Sequence, residues 1–547
     1  MKSHRLAATV GLLAALVLGA CSSTGVAPPT RPTGWAAPEM LVAPSSFHGV
    51  HGLAVDAKGR LLAGTVVGND MWEVDRKTGA AKVFIASPEG QADDIAIGPK
   101  GELAWTSYLQ GVLRVRDSDS GPIRIVAKDL PGINSLAFDM KNGKLYGSQV
   151  FLGDALWEMD PGGKTPPRLI AKDLGGFNGF EVGPDGQLYG PLWFKGQVVR
   201  INPADGKVTV INSEFKIPAA ANLDGKGNLW AIDTKTGELA KVDMASGKRS
   251  IVATLATAID NLAFSPEGTL YVSNMADNAI TEVDTATGRS RTLTSGKLAV
   301  PGGMKLGGGA LWIADTFAFR RIDIQTGAVT DIARMQSSDL EYPSGVGIGS
   351  KLLALSSWFT GTVQLIDRSS LKTVTMLHGF KAPYDAIPMD DGSLLVAEIA
   401  TGSLLRASGA DYKERKVVAS GLAGPVQMVL AKDGAVVMTE AAGNLVRIDL
   451  ASGAKTVLAS GLAMPEGVSQ TPWGSFIVAE TAARRLTEID ASGGGKRVVA
   501  ENLPIGLEGG PGLPPPYMVT GVVVGDDGTV YVSGDRINAL LKLRPLR

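Results

Sequence analysis

Residues 261–288 read NLAFSPEGTLYVSNMADNAITEVDTATG: an apolar-alternating run, a turn with Gly268, a second run, a polar stretch, then a third run closing at Asp284 before a Thr-Gly turn. The phrase recurs as GLAVDAKGRLLAGTVVGNDMWEVDRKTG at 52–79 and as VSQTPWGSFIVAETAARRLTEIDASGG at 468–494. The residue closing the third run falls at Asp75, Asp117, Asp160, Asn202, Asp243, Asp284, Asp323, Asp367, Ser408, Asp449, Asp490 and Leu543. A period of about 41 residues with about four short strands per unit is the pattern of propeller blades, each burying its faces on its neighbours. Helical or shorter units, which a solenoid needs, do not occur.

Twelve units predict an all-β chain of two tandem six-bladed β-propellers, because one ring of twelve leaves a wide channel to fill. An orphan run at Met40 to Ala43 precedes the first unit, and the last unit stops after its third strand at Leu543. If each ring borrows a strand from its own start, Met40 to Ala43 completes the sixth blade and Ser290 to Leu293 the twelfth. The expected division is then 39–288 for the first propeller and 289–547 for the second. The 69 glycines among 547 residues, about 13% against roughly 7% in ordinary soluble proteins, follow from the recurring turns.

The charges nearly cancel, 53 Lys+Arg against 54 Asp+Glu, so there is no basic field to bind a nucleic acid backbone. At the N-terminus, Lys2 and Arg5 precede an apolar stretch from Leu6 to Ala20, too short to span a bilayer. Leu18-Gly19-Ala20 lead into Cys21, the single cysteine. The segment 1–20 resembles a bacterial lipoprotein signal, which implies lipidation of Cys21 and an anchored, exported protein. Ser22 in place of an aspartate favours the outer membrane, facing the periplasm, in a Gram-negative cell. Residues 21–38, small and proline-rich, read as a flexible tether. With one cysteine, no disulfide forms within the chain.

Eight positions before the reference glycine of each unit lies the residue that opens the innermost strand. In the first half these slots hold His51, Asp93, Asn134 (nine before its glycine), Asn178, Ala219 and Asp260. In the second they hold Pro301, Pro343, Tyr384, Val426, Glu466 and Thr520. A turn that demanded a polar residue would show one in both halves. Ring symmetry brings the first set to one axis, and carboxylate and amide oxygens without thiolates suit a hard cation, Ca²⁺ first and Mg²⁺ or Mn²⁺ next. The competing reading is that these groups cap strand starts or line a wet channel.

The phrases PGINSLAFDMKNGKLYG, GGFNGFEVGPDGQLYG and AIDNLAFSPEGTLYVSN resemble blade starts of the senescence-marker-protein, gluconolactonase and luciferin-regenerating-enzyme family, related to the paraoxonases. The resemblance implies six-bladed propellers with a divalent metal in the channel and hydrolysis of lactones or related esters. It implies Asn134 and Asn178 as asparagine ligands, and Asp260 with Asn261 as the Asp-Asn pair. One departure is the first-blade glutamate, whose place is taken by His51, with His48 three residues before it.

The expected function is an exported lipoprotein hydrolase of a small-molecule lactone or ester, with Asn134, Asn178, Asp260 and Asp93 as metal ligands. Asp93, Asp260 or His51 takes the proton from water. The alternative is a non-catalytic tandem-propeller binding or scaffold lipoprotein of the envelope. A lyase resembling streptogramin-inactivating propellers is disfavoured by the four histidines. No Gly-x-Ser-x-Gly elbow or His-Glu-x-x-His helix occurs. Glu466 resembles the family's Pro-Glu-Gly, but its ring has few other oxygens, so the second half reads as a binding or packing module. Pro511 to Tyr517 reads as a loop over a channel mouth.

Overall fold

The computed structural model describes residues 30–513 and 515–546. The expected signal, Cys21 and the tether as far as residue 29 lie outside these. The described residues form twelve four-stranded antiparallel sheets and one short two-stranded ribbon. In each of the first eleven sheets, four consecutive strands pair in chain order. The innermost strands of the first six touch in sequence, and Ile259–Phe264 of the sixth returns to Val50–Val55 of the first. The innermost strands of sheets seven to twelve close likewise, with Val522–Val524 against Met304–Gly307. Two propeller-like cycles of six sheets result.

Strand closure is the reverse of the expectation. Ser290–Thr294 pairs with Ala279–Val283 inside the sixth sheet, whereas Glu39–Val42 pairs with Ala539–Leu543 and completes the twelfth. The cause is the turn that defined the repeat. Asp284 accepts hydrogen bonds from Ala286 N and Thr287 N, and Gly288 N donates to Asp284 O, which folds the chain straight back into a hairpin. A strand leaving that turn meets its own third strand first, so Gly288 lies inside a sheet and the first cycle runs to Thr294. Only the twelfth sheet lacks a local fourth strand, and the N-terminal run fills that edge.

Residues 31–38, expected as tether, are held against the last two sheets. Gly34–Trp35 pairs with Pro545–Leu546. Arg31 forms ion pairs with Glu488 and Asp490, and the guanidinium of Arg497 lies 4.9 Å from the Trp35 ring centroid.

The rings dock through an apolar core in which Val67 and Met275 of the first pack with Phe317, Phe319, Met335, Tyr517 and Met518 of the second. Gly49 shows how close the approach is. A Cβ there would lie 2.2 Å from the Phe317 ring, and its φ of +73° disfavours any other residue. Polar ties surround this core. Arg320, 2% exposed, bonds Asp315 and Asp331 and reaches Ala276 O in the first ring; Arg334 binds Asp277 and Thr257 O. His48 Nε2 is 2.8 Å from Asp535 O, and burial holds its pKa down at about 4, so it links the rings as a neutral side chain.

Two outcomes follow. A chain starting at residue 44 leaves Ala539–Leu543 without its neighbour; compared with one starting at residue 30, limited proteolysis should cut first within 295–546 and spare 50–294. Gly49→Ala should lower stability by about 2 kcal/mol or more, from left-handed backbone strain plus the Phe317 overlap, read by denaturant unfolding.

Candidate functional site

The slots are built by bulges. The inner-strand register shifts between Val50 and Leu53, between Ile133 and Ser135, between Pro218 and Ala220 and between Ile259 and Leu262, so His51, Asn134, Ala219 and Asp260 sit where the ladder is broken. A bulge leaves one residue unpaired and re-aims its side chain. Asp93 and Asn178 occupy the corresponding places just before short inner strands, Ile95–Ile97 and Glu181–Val182. The second ring has the same shifts at Tyr384, Val426 and Glu466. Slot geometry is therefore shared, and the side chains alone distinguish the rings.

His51, Asp93, Asn134, Asn178 and Asp260 all line one cavity of about 70 Å³, which lies between the rings. Ala219 is fully buried and is not among the lining residues. The opposite wall comes from the second ring: Thr316, Phe317, Gln336, Tyr342, Ser344, Trp358, Phe359, Tyr517 and Met518. No lysine or arginine lines the cavity. Burial first, then the charges of Asp260 and Asp94, pushes the Asp93 carboxyl well above the usual range. Burial raises Asp260 too, opposed by the charge of His51.

Asn261 does not join its neighbour at the cavity. Its Nδ2 donates to Asp94 Oδ1 at 2.8 Å, and Asp94 also accepts from Ile95 N and Leu136 N. Adjacent residues on a strand face opposite ways, so Asp260 supplies the site while Asn261 and Asp94 brace the layer beneath it. Burial raises the Asp94 pKa to about 7 despite these bonds.

Ser135 Oγ lies 2.9 Å from Asn134 Oδ1 and 2.8 Å from Asn178 Oδ1, and it also accepts from Gly179 N. A hydroxyl has one proton, so it donates to only one of these amide oxygens at a time. Among the described residues no three His, Cys, Asp or Glu side chains converge closely enough to hold a metal by themselves. A hard cation would draw on the Asp93 and Asp260 carboxylates, an amide oxygen of Asn134 or Asn178 and water, a donor set that suits Ca²⁺ chemically. His51 Nδ1 is 2.9 Å from Gly49 O, an acceptor only, so Nδ1 carries a proton and any lone pair of the ring is on Nε2.

Sequence reasoning missed the aromatic residues. Tyr108 and Trp193 begin short 3₁₀ turns, Tyr108–Gln110 and Trp193–Lys195, each ended by a left-handed glycine, Gly111 or Gly196. The signal was present as YLQG and WFKG after the second strand of their units. Trp358 carries the same signal, WFTG at 358–361 after the strand Leu352–Ser357 and closed by left-handed Gly361, whereas nothing comparable announced Tyr342; both reach the cavity only because the rings dock.

The second-ring channel is chemically different. Glu466 accepts from Thr520 N and Thr481 Oγ1, and burial followed by the charge of Asp535 raises its pKa to about 8. The loop expected over a mouth does reach the channel, since Tyr384 donates its hydroxyl proton to Pro516 O and Tyr517 bonds Val67 O across the rings.

No protein-family model matches the chain, and no curated protein does. Among solved structures, a candidate gluconolactonase is similar at 17% identity and TM-score 0.37, over 49% of this chain and 95% of that one. The extracellular domain of a candidate hybrid two-component system from B. thetaiotaomicron is similar at 10% identity and TM-score 0.34, over 91% and 76%. A related extracellular domain from the same organism is similar at 11% identity and TM-score 0.33, over 94% and 84%.

A carboxyl whose folded pKa is raised contributes stability fully below its unfolded value and loses it as pH climbs to the folded one. For Glu466 that window runs from 4.5 to about 8. Glu466→Gln should therefore melt close to the parent in acid and progressively above it toward pH 8, seen as two diverging thermal midpoint curves.

Proposed function

We propose that the chain is a metal-dependent hydrolase of lactones or related esters, working in the cavity at the first-ring channel. One observation carries this reading: two carboxylates, the buried Asp93 and the partly buried Asp260, share a cavity with no basic lining residue except His51. Leaving such a pair ionised and uncompensated costs several kcal/mol, about the scale a bound divalent cation offsets. When bound, the cation supplies Lewis-acid polarisation of the substrate carbonyl.

Asp93, Asp260 and an amide oxygen of Asn134 or Asn178 would hold it, with calcium the first choice. His51 Nε2 accepts a proton from the water whose oxygen attacks the carbonyl carbon. The acyl C–O bond then breaks, and the proton passes from His51 to the departing alkoxide, leaving a carboxylic acid and an alcohol, which are one hydroxy acid when the substrate is a lactone. The Nδ1–H bond to Gly49 O keeps Nε2 as the base throughout.

Export and attachment through Cys21 to the outer membrane, facing the periplasm, belong to the same proposal and rest on the sequence of residues 1–21. Among the described residues no helix is long and apolar enough to cross a membrane. A second reading, a ligand-binding cleft without chemistry, is favoured because among the described residues no three His, Cys, Asp or Glu side chains converge.

Metal analysis and a lactone and aryl-ester panel separate the two. The hydrolase should bind about one divalent ion per chain and lose turnover in EDTA. Asp260→Ala and His51→Ala should each reduce kcat/KM about a hundredfold or more. Failure of any divalent ion to bind at millimolar Ca²⁺ sinks the metal reading; bound ion without turnover of any ester leaves the cleft.

A further inference from the structure

Four lining residues that are not glycine have positive φ: Phe151 at 66°, Thr316 at 28°, Gln336 at 64° and Tyr342 at 42°. Three of them belong to the second ring. A side chain held in this region costs on the order of 1 kcal/mol or more, and such outliers gather at functional sites. Tyr342 is the best defined. Phe317 and Phe359 meet its ring edge-on, with centroids 6.1 and 5.6 Å away, and burial first, then the charges of Asp260 and Asp93, keeps its phenol protonated. The partly buried residue makes no side-chain hydrogen bond through its hydroxyl among the described residues and lines the same cavity as Asp93 and Asp260. A free donor in a cavity with two carboxylates is placed to meet an acceptor that enters with a ligand.

The remaining wall is apolar. Trp358 stacks on Tyr384 at an interplanar angle of 15° and meets Phe359 and Tyr517 edge-on. Toward solvent the aromatic surface continues on both rings: Phe359 is 37% exposed, Phe151 42% and Phe194 60%. Exposed aromatic residues gathered at a cavity mouth mark a binding surface. Ring one thus presents the oxygens beside Tyr108, Phe151 and Trp193, ring two presents the facing aromatic wall, and the cavity of about 70 Å³ between them has room for a slender group.

We propose that the second ring is half of the site: the Tyr342 hydroxyl donates to the ligand oxygen that faces Asp93 and Asp260, while Trp358 and Phe359 form the wall for a slender apolar chain running out over Phe151. The inference rests on the hydrolase reading and deepens it to esters or lactones bearing an unbranched apolar tail. The second ring is then a specificity module, and its docking sets which substrates enter.

The test uses δ-lactams with straight chains from ethyl to decyl, carbonyl analogues that resist hydrolysis, titrated calorimetrically against the full chain with calcium present. Affinity should rise roughly threefold per methylene until the chain leaves the wall. Trp358→Ala should cost the decyl lactam about tenfold and the ethyl lactam little, with Trp358→Phe restoring most of the loss. Tyr342→Phe should weaken every member by a similar factor of about ten and leave the slope intact. Near-UV circular dichroism checks that the variants keep the parent packing. A flat slope in the parent, or Trp358→Ala with the parent's slope, overturns the proposal. A steep slope without turnover of any lactone removes the hydrolase reading and leaves the shared site standing, whereas turnover with a flat slope does the reverse.

Discussion

Phe317 packs directly against Gly49 of the first ring, with its centroid 5.4 Å from that of the His51 ring. That contact sets how the two cycles of sheets face one another. With any Cβ at position 49 the rings stand farther apart, the apolar core around Val67, Met275 and Met518 loosens, and the cavity over Asp93 and Asp260 opens to water. Asn278 reinforces the contact by accepting the Gly49 N–H at 2.8 Å while donating to Ala299 O on the segment leading into the second ring.

The electrostatics of the site depend on this docking. Two carboxylates at the mouth of an isolated ring would be hydrated and unremarkable in their titration. Beneath an aromatic cap they lose water, and nothing basic replaces it except the single imidazole. The low local dielectric that makes the pair costly also strengthens any charge-assisted bond formed there. The two rings have the same backbone slots, but the second fills its own channel with Tyr384, Val426 and Glu466 and turns its aromatic face outward to the first. One ring holds the polar chemistry and the other supplies its cover.

Much of the fold was legible because the repeat is written in turns. In most units a closing aspartate caps its own hairpin, as Asp284 does for Ala286 and Thr287, and such signals are local. The closure of the last sheet was misread because strand pairing across the whole chain is not local. Glu39–Val42 pairs with Ala539–Leu543 at the opposite end of the described chain. The five polar slot residues were legible from ring symmetry and do face a common cavity. The division of labour between Asp260 and Asn261 was not, since it depends on which way a bulge turns two neighbours.

By itself the sequence determined the all-β repeat, the number of units and the polar character of the first set of slots, because period, turn chemistry and residue type act over a few residues. The docking of the rings, the strand that seals the twelfth sheet and the aromatic wall of Tyr342 and Trp358 were decided by tertiary structure. These depend on surfaces hundreds of residues apart coming into contact, and burial there is a property of the folded pair that no short stretch of sequence encodes.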